Sequence, residues 1–176
     1  PELRRELDLD FVIVNGENAA GGYGITAKIC EAFYEAGVDA ITTGNHVWDQ
    51  REIIEYIDGD PRLLRPLNYP PGTPGRGTAL FQLTDGRRLL LVHVMLRLFM
   101  NPLDDPFAGV DAALDKYSLG RTADAIVLDI HGEATSEKLA LAHHVDGRVS
   151  LAVGTHTHVP TADGRILPGG SGYITD

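Results

Sequence analysis

The sequence predicts an α/β fold, a mixed, mostly parallel sheet or pair of sheets flanked by helices. Three observations predict it. Short apolar runs at 10–15, 38–42, 125–130 and 149–153 alternate with segments of helical spacing. Two further runs, Thr78–Thr84 and Arg87–Val94, flank Asp85-Gly86, a strong short hairpin signal that adds antiparallel character. The 176 residues, 43% hydrophobic and 23% charged, suffice for one domain, 1–176, with an ordinary core.

The elements follow from local chemistry. Residues 10–15 (DFVIVN) are apolar and β-branched up to Gly16, a buried strand. A glycine-rich turn, 16–25, leads to Thr26, which can cap a helix running to about Ala36, with Gly37 as its stop. Val38–Thr42 is a second buried strand. Asp49 and Glu52 have the spacing of a capping-box variant for a helix to about Ile57. The stretch 61–77, rich in proline and glycine, reads as a connection without regular structure. After the hairpin, 105–119 reads as a helix, 125–130 as a strand, and Thr135 or Ser136 as the cap of a helix to about Val145. Val149–Val153 is the next strand, and Ile166–Leu167 with Tyr173–Thr175 form a closing hairpin around 168–172.

Fifteen basic against 25 acidic residues give a formal net charge of −10. Such a surface repels a phosphate backbone, which argues against an extended nucleic-acid groove but not against a small phosphorylated substrate held at a metal. The longest apolar stretch, 89–100, is interrupted by His93 and Arg97 and falls short of the roughly 20 residues of a membrane helix. Cys30 is the sole cysteine, so no internal disulfide can form, and the expected compartment is the cytoplasm. Nothing in the pattern excludes a homo-oligomer.

The chemistry collects at strand ends. Four strands run into Asn15-Gly16-Glu17-Asn18, Gly44-Asn45-His46, Asp129-Ile130-His131 and Gly154-Thr155-His156-Thr157-His158. In open α/β sheets the ligand crevice lies beyond the carboxyl ends of the strands, so Glu17, Asn18, Asn45, His46, His131, His156 and His158 are expected at one rim. Carboxylate, amide oxygen and imidazole, with no thiolate, suit a divalent ion such as Mn, Fe or Zn. His156 and His158 are expected to project on one side of an extended segment, roughly 7 Å apart, each serving one ion of a pair. His143 and His144, late in a helix, read as dipole partners, and His93 as a satisfied core residue. Gly21-Gly22-Tyr23-Gly24 lacks the lysine of a P-loop and reads as a turn.

Gly16-Glu17-Asn18, Gly44-Asn45-His46 and Gly154-Thr155-His156-Thr157-His158 resemble the blocks of calcineurin-like metallophosphoesterases. The segments 17–22, 46–49, 133–138, 99–102 and 167–170 are similar to the bacterial YmdB-like branch. The resemblance implies a sandwich of sheets and a two-metal phosphodiesterase acting on 2′,3′-cyclic nucleotides or related phosphodiesters, with Fe or Mn as the metals and Zn or Mg as alternatives. It implies that Glu17 bridges both ions, that Asn45, His131 and His156 complete one site, and that Asn18 and His158 belong to the other. His46 matches the family's general acid.

The family pattern opens with an aspartate-bearing strand about one β-α unit before Glu17, and this chain begins at Pro1, after that point. The sequence therefore reads as incomplete at both ends, with the site of Asn18 and His158 expected to bind its ion weakly. Met95-Leu96 is apolar where the pattern has a polar strand end. Two other classes stay open at this level: a non-catalytic metal-dependent regulator, for which an exposed Trp48 would argue, and a phosphomonoesterase.

Overall fold

Apolar β-branched segments too short to make helices pair into two sheets in the computed structural model, which describes residues 2–176. In chain order the elements are α1 (Glu2–Glu6), β1 (Ile13–Asn15), α2 (Ala27–Glu35), β2 (Ala40–Thr42), a 3-10 turn (Gly44–His46), α3 (Ile53–Tyr56) and β3 (Leu63–Leu64). Then follow β4 (Thr78–Gln82), β5 (Arg88–Met95), α4 (Pro106–Leu114), β6 (Ala125–His131), α5 (Thr135–His144), β7 (Leu151–Thr155), β8 (Arg165–Ile166) and β9 (Gly172–Thr175).

The first sheet has the order β1-β2-β3 and is parallel throughout. The second has the order β4-β5-β6-β7-β9-β8, parallel from β5 through β9 and antiparallel at its two edge pairs. A mixed, mostly parallel architecture is thus what the chain adopts. The two sheets face each other across Ala40, Leu64 and Leu91, with Phe11, Ile13, Phe81 and Val127 packed around them. Helices cover the outer faces. Val110, Leu114, Leu141 and Ala142 of α4 and α5 pack on Leu90, Val92, Val94, Ile126, Leu128 and Ile130. On the other side Cys30 and Ile53 pack with Ile41 and Leu63. Strands covered on both faces need continuous rather than alternating apolar runs, which explains Leu89–Val92. Each fully buried Leu, Ile or Val contributes about 1.5–3 kcal/mol of transfer free energy.

Local signals mostly hold. Thr26 caps α2 by accepting from the Ile29 N–H, and Gly37 ends it at φ +94°, a conformation that favours glycine. Asp105 caps α4 by accepting from Phe107 and Ala108 N–H groups, with Pro106 at the first helical position. Three expectations are corrected. Asp49 and Glu52 form no capping box: α3 spans only four residues and has no side-chain cap. Asp49 bonds His46 instead, and Glu52 accepts from the Ala27 N–H at the start of α2. Thr135 is the first residue of α5 rather than its cap, which falls on Ala134. The stretch 61–77 contains strand β3, whose two buried leucines carry too short a pattern to read. Among the described residues no helix is long and apolar enough to cross a membrane.

Candidate metal centre

Parallel pairing in register brings the carboxyl ends of the strands level. Asn15 pairs with Thr42 in the first sheet, and Met95 with His131 and His131 with Thr155 in the second. Glu17 follows β1, Asn45 lies in the turn after β2, His131 ends β6, and His156 follows β7.

Their polar atoms meet. Glu17 Oε1 lies 3.1 Å from His131 Nε2, 3.6 Å from His156 Nδ1 and 3.9 Å from His46 Nε2. Asn45 Oδ1 lies 2.8 Å from the same His131 Nε2. Glu17, His131 and His156 each place a ligand atom within 4.8 Å of the others. His158 sits on the outer side, its Nε2 3.8 Å from Glu17 Oε2, so His156 and His158 address different oxygens of one carboxylate. Asn18 lines the same cleft, about 440 Å³, with its Nδ2 donating to the Gly22 carbonyl at 2.6 Å.

The expectation of an extended His-Thr-His segment is corrected. His156 has φ +118° and His158 φ +60°, left-handed values that cost about 1–3 kcal/mol each in non-glycine residues. The backbone kinks beyond β7 and turns His156 inward while His158 stays 62% exposed. The kink is tied down from behind. Asp176 accepts from the Thr157 N–H and hydroxyl and forms a buried ion pair with Lys138 at 2.7 Å. Asp176 thus lines the cleft with its carboxylate already engaged. Gly44 supplies room on the opposite wall, at φ +60°. A Cβ there would lie 2.5 Å from His131 Cε1.

Electrostatics favour a charged Glu17 carboxylate beside a neutral His131. Burial raises the Glu17 carboxyl, but the His131 hydrogen bond and the nearby His156 and His46 outweigh it and leave Glu17 below the usual range. Burial lowers His131 and outweighs Glu17, so the imidazole is held neutral. Burial would raise Asp129, yet contact with His93 pulls it down to about 2.

The residues fit a cation. His156 Nδ1 is buried without a hydrogen-bond partner, aimed at Glu17. Glu17 Oε1 and Asn45 Oδ1 lie 3.1 and 2.8 Å from the same His131 Nε2. A carboxylate, an amide oxygen and an imidazole nitrogen converging in this way make a donor set that suits a divalent ion.

Several supporting residues escaped the sequence reading. Asp49 Oδ2 lies 2.7 Å from His46 Nδ1, Glu133 Oε2 lies 3.3 Å from His156 Nε2, and Thr155 Oγ1 lies 2.9 Å from His131 Nδ1. Asp129 could have been found, because period-two alternation puts it on the face of β6 that carries His131. His93 is buried and satisfied, as expected, accepting from the Gly44 N–H at 3.0 Å. His144 pairs with Asp111 rather than with the helix end alone.

The family model described as YmdB-like protein matches residues 1–176. The chain belongs to the YmdB-like family. It is 49% identical over 176 residues to the 2′,3′-cyclic-nucleotide 2′-phosphodiesterase of Bacillus subtilis (strain 168), covering all of this chain and 66% of that protein. Among solved structures it resembles a hypothetical protein from Thermus thermophilus, with TM-score 0.91 and 48% identity over 100% of this chain and 67% of that one. A structure titled as a novel phosphatase from Mycoplasma pneumoniae matches with TM-score 0.86 and 36% identity, over 98% of this chain and 62% of that one. The chain therefore spans about two thirds of the length of these YmdB-like relatives.

Proposed function

We propose that this chain carries the core of a metal-dependent phosphodiesterase that hydrolyses 2′,3′-cyclic nucleotides or related phosphodiesters. The observation that carries the reading is the Glu17 carboxylate, whose Oε1 faces His131 and His156 and whose Oε2 faces His158, with Asn45 Oδ1 on the same His131 nitrogen. The name of the Bacillus subtilis relative supports the substrate class.

In this reading Glu17 would serve both of two divalent ions, Fe or Mn. Asn45, His131 and His156 would complete one seat, and Asn18 and His158 would contribute to the other. Such ions would polarise phosphoryl oxygens and make a water acidic enough to attack phosphorus near neutral pH. The chain's own groups do the rest. His46 is the general acid. Its Nδ1 is tethered to Asp49 at 2.7 Å, which turns Nε2 toward Glu17, from where it would protonate the departing oxygen. Glu17, its carboxyl held below the usual range by the histidines around it, stays ionised and so remains a ligand. An acidic protein surface and a cleft of about 440 Å³ fit a small ester better than a nucleic-acid strand.

A phosphomonoesterase is the second reading, favoured by the name of the Mycoplasma pneumoniae structure. A purely regulatory role loses its expected support, because Trp48 is half-buried, packed against the core cluster that includes α2 and edge-on to Tyr69, rather than standing exposed. Side-by-side turnover of a 2′,3′-cyclic nucleotide and a nucleoside monophosphate, with added manganese, tests the reading. Faster hydrolysis of the cyclic ester supports it. Preference for the monoester, or no hydrolysis of either, refutes it.

A further inference from the structure

Behind the candidate ligands, a series of polar contacts links Gly44, His93, Asp129, Thr155 and His131. The Gly44 N–H donates to His93 Nε2 at 3.0 Å, so the proton of that buried ring sits on Nδ1. His93 Nδ1 faces Asp129 Oδ2 at 3.2 Å. The Thr155 hydroxyl donates to Asp129 Oδ1 at 2.8 Å. A hydroxyl has one proton, and Thr155 directs it to Asp129. Thr155 Oγ1 can therefore only accept from its other neighbour, His131 Nδ1, at 2.9 Å.

We propose that Asp129 and Thr155 form a positioning relay that keeps the proton of His131 on Nδ1. The relay thereby presents the Nε2 lone pair to the seat made with Glu17 Oε1 and Asn45 Oδ1. The same Asp129 carboxylate, through His93, holds the backbone of the turn that carries Asn45. One buried side chain thus registers ligands from two sheets, His131 from β6 and Asn45 from the turn after β2. Neither Asp129 nor Thr155 touches the seat; both act through His131 and His93. Outer partners of this kind fix the tautomer and ring orientation of metal-binding histidines, and their loss typically weakens metal affinity 10–100-fold. The inference rests on the metal-centre reading above, and its test separates the two.

Thr155→Val removes the relay's hydroxyl with little change of shape, and Thr155→Ser retains it. Titration of the purified protein and both variants with Mn²⁺ alone gives the affinities, and melting without metal shows that each folds. The relay predicts a 10–100-fold weaker dissociation constant for Thr155→Val and recovery to within a few-fold for Thr155→Ser. Equal affinity in Thr155→Val, or an equal loss in Thr155→Ser, overturns it. Nitrogen-15 NMR of the metal-free wild type at pH 8 reads the tautomer directly and depends on no variant. A proton on His131 Nδ1 supports the relay, and a proton on Nε2 overturns it. Failure of the wild type to bind Mn²⁺ counts against the metal centre itself, while the NMR result still decides the relay.

Discussion

Asp49 Oδ2 lies 2.7 Å from Nδ1 of His46, three residues before it, while Nε2 of the same ring points to Glu17 Oε1 at 3.9 Å. The histidine is held by one nitrogen and turns the other toward Glu17. General acid catalysis contributes typically 10²–10⁴-fold. His46→Ala should therefore lower kcat on a 2′,3′-cyclic nucleotide by about that factor while leaving metal content intact. Elemental analysis beside the kinetics checks this, and a parallel loss of metal would make His46 a ligand instead.

The Lys138–Asp176 pair, buried on both sides, fixes the kinked His156-Thr157-His158 segment. Removing one member of a buried pair strands the other charge, at a cost of about 3–5 kcal/mol. Lys138→Met should destabilise the protein by that order, and Lys138→Met combined with Asp176→Asn should recover much of the loss. Chemical denaturation of the three proteins decides it. A single variant as stable as wild type would show that water reaches Asp176.

Much of this was legible in the sequence, for identifiable reasons. Continuous apolar runs marked β6 and β7 because both faces are covered, and Asp85-Gly86 located the β4–β5 turn because hairpin geometry favours those residues. The meeting of Glu17, Asn45, His131 and His156 followed from strand ends sharing one rim. Legibility failed where tertiary contacts overrode local ones. Asp49 and Glu52 have the spacing of a helix start, yet each finds a partner elsewhere, in His46 and in the first turn of α2. The positive φ of His156 and His158 has no local sequence signal, since the restraint is Asp176, 20 and 18 residues away along the chain. Strand β3 is too short for any period to show.

Far from the cleft, Asp146 accepts from the N–H groups of Gly169 and Ser171 and pins the closing turn to the end of α5. Burial acts to raise this carboxyl, but those donors outweigh it and hold it below the usual carboxylate range. A depressed folded-state value means that its stabilisation is present above the unfolded value, near 3.8, and is lost as pH falls through the folded one. Asp146→Ala should lower Tm at pH 7, and the difference from wild type should shrink as pH falls below the unfolded value of 3.8. A difference independent of pH would assign the effect to packing.

The most direct measurement is metal content per chain, by elemental analysis after manganese loading and desalting, for wild type and Glu17→Gln. Because one carboxylate faces His156 with Oε1 and His158 with Oε2, Glu17→Gln should come through nearly metal-free while wild type retains bound ion. Equal metal in both proteins would contradict a centre built on Glu17.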